Sequence, residues 1–221
     1  MRKYLYTAAL LFLTIAANAQ SKTHRFGLAI GGGPQDYNGE RGNGVTESDD
    51  IWRGAVVISA GYYINKSFDL GMFGSGGDLG YCPDASAAAS PIDANDRCPG
   101  CLGRQGLGNL SGRVIAGGLS LCYKFANGYL LKESCPVKPY IYAGAAFNNI
   151  TDPMDMRCIR VGNYGTLNAG LGVRYYITER FNIGYQMSFG YFTRDDIDFM
   201  AHDKVGDSYM QNALMVGFDL F

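Results

Sequence analysis

Histidine is nearly missing from this chain: His24 and His202 are the only two in 221 residues. That leaves little material for His-based catalysis or imidazole-rich metal sites. Charge is also scarce. Asp, Glu, Lys and Arg make up 18% of the sequence, below the usual quarter or so. A net charge of −1 supplies no broad basic surface for nucleic acid. Beyond the N-terminal segment no stretch reaches the ~18 uninterrupted apolar residues of a membrane-crossing helix. Proline is sparse too, at 7, which excludes a collagen-like or proline-driven disordered chain. Glycine and aromatic rings are what the chain has in excess. Glycine, at 31 residues, runs at roughly twice its usual frequency. The 16 Tyr and 12 Phe argue against disorder.

The first residues read as a targeting segment. Arg2 and Lys3 form a positive start, Leu5 to Ala16 an apolar stretch, and Ala17-Asn18-Ala19 an A-x-A cleavage site before Gln20. The pattern predicts a secretory signal peptide over residues 1–19 and one domain over residues 20–221. No cysteine follows the apolar stretch closely, which disfavours a lipid anchor. The exported chain is then either soluble or inserted as strands.

Alternation of period two dominates the rest. From Phe181 to Tyr191 the odd positions are Phe, Ile, Tyr, Met, Phe and Tyr, and the even ones Asn, Gly, Gln, Ser and Gly. Leu167 to Ile177 repeats the pattern, and Thr178-Glu179-Arg180 joins the two as a hairpin. The same grammar marks Phe26–Ile30, Trp52–Ile64, Phe68–Met72, Ile115–Phe125 and Tyr209–Phe221. Tyr140–Phe147 is a further strand whose outward face the pattern leaves open. The sequence thus predicts eight strands. Connections 65–67 and 178–180 are tight, and 126–138 is a longer turn opened by Asn127-Gly128, a favoured hairpin pair. The other four, about 33–51, 76–111, 148–165 and 193–208, are long. Tight and long ends therefore fall on opposite sides of an up-and-down meander.

Alternation alone does not say which face points inward. A soluble lipocalin-like barrel puts the apolar face inside, and a membrane barrel puts it outside. Four features favour the second. The polar face is Gly, Ser, Asn, Gln and isolated Arg, suited to a narrow interior. Large aromatics such as Tyr62, Phe68, Tyr123, Phe125 and Tyr175 gather at strand ends, like interfacial girdles. The short-turn and long-loop sides are unequal. The chain ends on Phe221, directly after a strand.

With the leader ending Ala17-Asn18-Ala19-Gln20, eight alternating strands, and strands such as Leu167-Asn168-Ala169-Gly170-Leu171-Gly172-Val173-Arg174-Tyr175, the chain resembles the small outer-membrane β-barrels of the OmpA/OmpX type, in the form common in Bacteroidetes. The resemblance covers residues 22–221. It implies an all-β, eight-stranded antiparallel up-and-down transmembrane β-barrel in the outer membrane of a Gram-negative bacterium. Its implied partners are outer-membrane lipid and the assembly machinery that reads a C-terminal strand ending in Phe. The sequence departs from the pattern there: Phe218 and Leu220 carry the apolar parity, and Asp219 shares parity with Phe221.

Eight strands enclose an interior that side chains can fill. Inward candidates are Arg25, Arg53, Asp69, Lys124, Asn168, Arg174, Tyr176, Asn182 and Gln186. Arg outnumbers acid among them, so loop carboxylates or water must complete the network, because an unpaired buried charge is costly. The set reads as a structural polar plug, with a narrow anion-leaning passage as the alternative. Export makes disulfides possible for the six cysteines. Cys122 and Cys135 fall on the turn side and are predicted to pair. Cys82, Cys98, Cys101 and Cys158 fall on the loop side, with three connectivities open. The acidic loops lack EF-hand spacing. No cofactor or metal is expected. His24 and His202 are not placed beside a strand-borne serine, so no hydrolase triad can be built. The expectation is a non-enzymatic barrel whose loops serve a structural, adhesive or small-ligand role. A narrow solute channel, or a soluble periplasmic barrel holding an apolar ligand, is the alternative.

Overall fold

The computed structural model describes residues 25–38, 54–81, 110–151, 159–194, 197 and 207–220. The eight strands are β1 (Phe26–Asn38), β2 (Gly54–Tyr63), β3 (Phe68–Tyr81), β4 (Leu110–Lys124), β5 (Val137–Thr151), β6 (Gly162–Tyr176), β7 (Phe181–Phe192) and β8 (Ser208–Leu220). Each pairs antiparallel with its sequence neighbour. β1 also pairs with β8, Leu28 opposite Phe218 and Tyr37 opposite Tyr209, so the barrel is closed with no free edge. Residues 1–19, where a signal peptide is expected, as well as Trp52, Arg53 and Phe221, lie outside the described residues.

Side-chain oxygens hold the tight turns. Asn65 Oδ1 accepts from the backbone N–H of Ser67 and Phe68, both at 2.8 Å, and Thr178 Oγ1 accepts from Phe181 at 3.0 Å. These Asn and Thr turns replace ladder bonds that end there. In the β4–β5 turn, Asn127 Oδ1 accepts from Tyr129 and Leu130. Gly128 then takes φ = 85°, which a side chain would strain.

The large apolar residues of the alternating pattern face out. Leu28, Ile58, Leu70, Leu119, Leu171, Ile183 and Val216 are all exposed. On β5, whose facing the pattern left open, Ile141 and Phe147 point out while Tyr140, Ala146, Asn148 and Ile150 are buried. The continuous outward band on β6, Leu167–Tyr175, spans roughly 23 Å at about 3.3 Å per residue and about 40° of tilt, close to the hydrocarbon band of an outer-membrane barrel.

Several strands run further toward the loop end than the sequence predicted. β1 continues to Asn38 and β3 to Tyr81; β4 starts at Leu110, β5 ends at Thr151 and β6 starts at Gly162. The expected loop starts at 33, 76 and 148 and the expected ends at 111 and 165 are corrected accordingly. The reason is a reversal of polarity along the strands. Toward the loop end Leu79, Val114 and Ile150 point in, while Asp78, Arg113, Asn149 and Asn163 point out. Strands of up to 15 residues exceed the ~9–11 needed to cross a bilayer, so this end stands clear of the hydrocarbon.

Candidate functional site: a polar lumen under an apolar cap

At the turn end the lumen collects charge. Asp69 on β3 is 2% exposed, and Lys124 of the neighbouring strand donates to its Oδ1 at 2.5 Å. The Lys124 ammonium also sits 4.3 Å from the centre of the Tyr63 ring. Across the lumen, the Arg174 guanidinium lies over the Tyr140 ring at 4.7 Å and Lys138 over the Tyr176 ring at 4.1 Å. Tyr176 donates to Asp219 Oδ2 at 2.9 Å. Two buried carboxylates therefore face three cations, with aromatic faces spreading the excess positive charge.

Further in, the network becomes neutral. Tyr140 donates to Gln186 at 2.9 Å, and Tyr142 donates to Ser188 at 2.5 Å. Tyr209 donates to Asn168 Oδ1, while Asn168 and Asn148 both donate to Thr166 Oγ1. Gln211 donates to Gln35 at 3.0 Å. Glycines make room for these rings. Tyr140 and Tyr142 lie opposite Gly172 and Gly170 on β6, where an added Cβ would come within 2.5 and 2.6 Å of ring carbons. The opposite wall is small: Gly27, Ala29, Ser59, Gly61, Gly71 and Ser75 line a cavity of about 80 Å³ beside Asp69, Arg174 and Asp219.

An apolar cluster closes the lumen at the loop end. Tyr37, Leu79, Val114, Ile150, Tyr164, Phe192 and Tyr209 converge from seven strands, joined by Ile159 and Ile197 from the connections. Tyr164 meets Phe192 edge-on at 6.1 Å. Asp207 is fully buried at the margin of this cluster. It accepts from the Tyr37 hydroxyl and, at 2.8 Å, from the Ile197 N–H. Its carbonyl accepts from Phe192 N–H at 2.9 Å. Arg160 N–H donates to the Ile197 carbonyl at 2.7 Å, so the two connections hold each other over the lumen.

Of the residues predicted for the lumen, the structure brings Asp69, Lys124, Asn168, Arg174, Tyr176, Asn182 and Gln186 inside. Arg25 is exposed at the turn-end rim, and its carbonyl accepts from Tyr63 N–H. That expectation is corrected: Arg25 precedes β1, and its side chain is exposed. Cys122 and Cys135 are free thiols, which corrects their expected pairing. Cys122 points into the lumen between Asp69 and Tyr142 of the adjacent strands. Cys135 sits in the β4–β5 turn, its N–H donating to Lys132. Cys82, Cys98, Cys101 and Cys158 lie outside the described residues, as do His24 and His202. Among the described residues no Cys, His or carboxylate cluster could hold a metal ion.

Sequence reasoning missed Asp219, Lys138, Gln35, Gln211 and the whole apolar cap. Asp219 carried a usable sign. It falls between Phe218 and Leu220, both on the apolar parity, so it faces inward and supplies a carboxylate that the strand-borne list lacked.

A closed antiparallel barrel with an apolar exterior, an aromatic rim and a filled polar core defines an integral membrane protein that crosses the bilayer with strands. The chain belongs to the outer membrane protein beta-barrel domain family, matching it over residues 7–220. Its place is the outer membrane of a Gram-negative bacterium. Among solved structures it is similar to neisserial surface protein A, at 14% identity and a TM-score of 0.56 over 88% of this chain and 97% of that one. It also aligns with the N-terminal β-barrel domain of Pseudomonas aeruginosa OprF, at 18% identity and a TM-score of 0.47 over 89% of this chain and 98% of that one. No curated protein sequence matches the chain.

Proposed function

We propose that the protein is a non-enzymatic outer-membrane anchor whose long extracellular connections carry a structural or interaction role, in adhesion or in small-ligand binding. The apolar cap supports this reading best. It seals the lumen with Leu79, Ile150, Phe192 and Ile197, each no more than 1% exposed, and water and ions have no favourable path through such a cluster. A barrel capped in this way leaves the connections 39–53, 82–109, 152–161 and 193–207 as the parts able to meet an extracellular partner. The outer-membrane assembly machinery inserts the barrel. The leader Ala17-Asn18-Ala19-Gln20 and the glycine- and asparagine-rich strands support the Bacteroidetes form of the family.

Planar-bilayer recording tests the reading. The refolded protein is expected to insert without unitary current steps. Reproducible conductance from the unmodified barrel would replace the anchor with the narrow-channel alternative.

A further inference from the structure

We infer that the β4–β5 turn is an amphipathic foot that rests on the inner leaflet of the outer membrane and reads its anionic phospholipid headgroups. Residues 125–136 are much longer than the two- to five-residue hairpin loops that suffice to join antiparallel strands, and they are well tied down. Leu131 N–H donates to the Phe125 carbonyl, and Gly128 N–H to the Leu131 carbonyl. Asn127, 1% exposed, uses Oδ1 within the turn. Its Nδ2 donates to Tyr123 Oη at 3.0 Å and Ser67 Oγ at 3.2 Å. Lys66 of the β2–β3 turn braces the far side through Glu133 at 2.6 Å.

This ordered turn presents its greasy side chains outward. Tyr129 is 86% exposed, Leu130 61% and Leu131 40%. A rigid turn in water gains nothing by showing three large apolar groups in a row. Their neighbours identify the surface that covers them. Tyr123 packs edge-on against Phe68 at 5.3 Å and Phe125 at 5.4 Å, and this aromatic group ends the apolar exterior on β3 and β4. Asn127 ties the turn to that group through Tyr123, so the apolar tip continues a surface already facing lipid. Charge points the same way. The exposed cations at this end are Arg25, Lys66, Lys132 and Arg180, against Glu133 and Glu179, among the described residues. Aromatic and leucine side chains at headgroup depth with lysines beside them form an interfacial contact, in which each cation near an anionic surface adds to the attraction.

The test is depth-dependent quenching of Leu130→Trp in the full mature protein, refolded into vesicles of phosphatidylcholine with or without phosphatidylglycerol. The parent, whose only tryptophan is Trp52, supplies the background. The added emission is expected to be blue-shifted, strongly quenched by lipid brominated near the headgroup end of its acyl chain, and protected from acrylamide. Lys132→Glu on the same background is expected to raise acrylamide access severalfold in the anionic vesicles and to leave it unchanged in the neutral ones. Free access to acrylamide with no bromolipid quenching would overturn the proposal, and would make the turn a docking surface for a water-soluble partner. Lipid quenching with no response to charge reversal would overturn the headgroup part. Heat-modifiable gel mobility reports folding, and Tyr129→Trp serves where Leu130→Trp fails to fold.

Discussion

Toward the turn end the barrel holds Asp69, Lys124, Arg174, Asp219 and tyrosine hydroxyls inside, and Leu70, Leu121, Ile183 and Phe218 outside. Toward the loop end it holds Leu79, Val114, Ile150 and Phe192 inside, and Asp78, Arg113, Asn149 and Asn163 outside. The ladder is one continuous sheet; only the medium around it changes. Where hydrocarbon surrounds the wall, apolar groups face out and the interior must satisfy polar groups among themselves. Where water surrounds it, the wall behaves like any small soluble barrel and buries its own apolar core. One fold therefore contains both solutions, and the crossover falls near Thr166 and Asn148, whose side chains hydrogen-bond within the lumen.

The sharpest way to break this contrast is to unpair the turn-end charges. Asp69→Ala leaves Lys124 in the lumen without its carboxylate. Stripping one partner from a buried pair costs about 3–5 kcal/mol. The double variant Asp69→Leu with Lys124→Met is expected to recover most of that loss, because apolar groups of similar volume often replace a buried pair at little cost. Urea unfolding in bilayers, followed by tryptophan fluorescence, reads both. If Asp69→Ala unfolds at the parent's urea concentration, the turn-end lumen is wet rather than packed.

A smaller effect locates the crossover on the outer surface. Leu119→Arg places a charge in the lipid-facing band and is expected to destabilise by about 2–4 kcal/mol, whereas Asn149→Arg, beyond the band, is expected to cost about 0–1 kcal/mol. Equal losses at the two positions would mean that hydrocarbon reaches both. That result would leave Asp78 and Arg113, 3.5 Å apart on the same outer face, without a solvent.

These two halves also explain what the sequence made legible. Eight strands, their order and the outward facing of the greasy rows follow from period-two alternation, because lipid demands apolar residues at every second position. Asp69, Lys124 and Arg174 were legible for the same reason: a charge on the other parity has only the lumen to enter. The strand ends were not. Past Gly76 the alternation continues with its sides exchanged, Asp78 out and Leu79 in, and a search for outward greasy rows stops at the exchange. The cap was illegible because Ile159 and Ile197 reach it from connections with no periodicity. Cys122 and Cys135 share one end of the sequence map, yet one side chain lies inside the wall and the other in the turn beyond it.

The smallest expected effect concerns the brace between the two turns. The hydrogen bond from Lys66 to Glu133, together with the attraction of that carboxylate, raises the Lys66 pKa above its ordinary 10.5. A cation whose folded pKa is raised stabilises the folded state fully below the unfolded value, and loses that contribution as pH climbs through the folded one. The brace is therefore expected to act at neutral pH and to fade above pH 10.5. Both side chains are more than half exposed, so water and salt screen the pair, and Lys66→Met should shift the urea midpoint only slightly. Its more informative consequence is local: amide exchange at Leu130 and Leu131 should quicken while β4 and β5 keep their protection. A variant that loosens the strands as well would show that this turn is part of the barrel's cooperative unit rather than a separately braced foot.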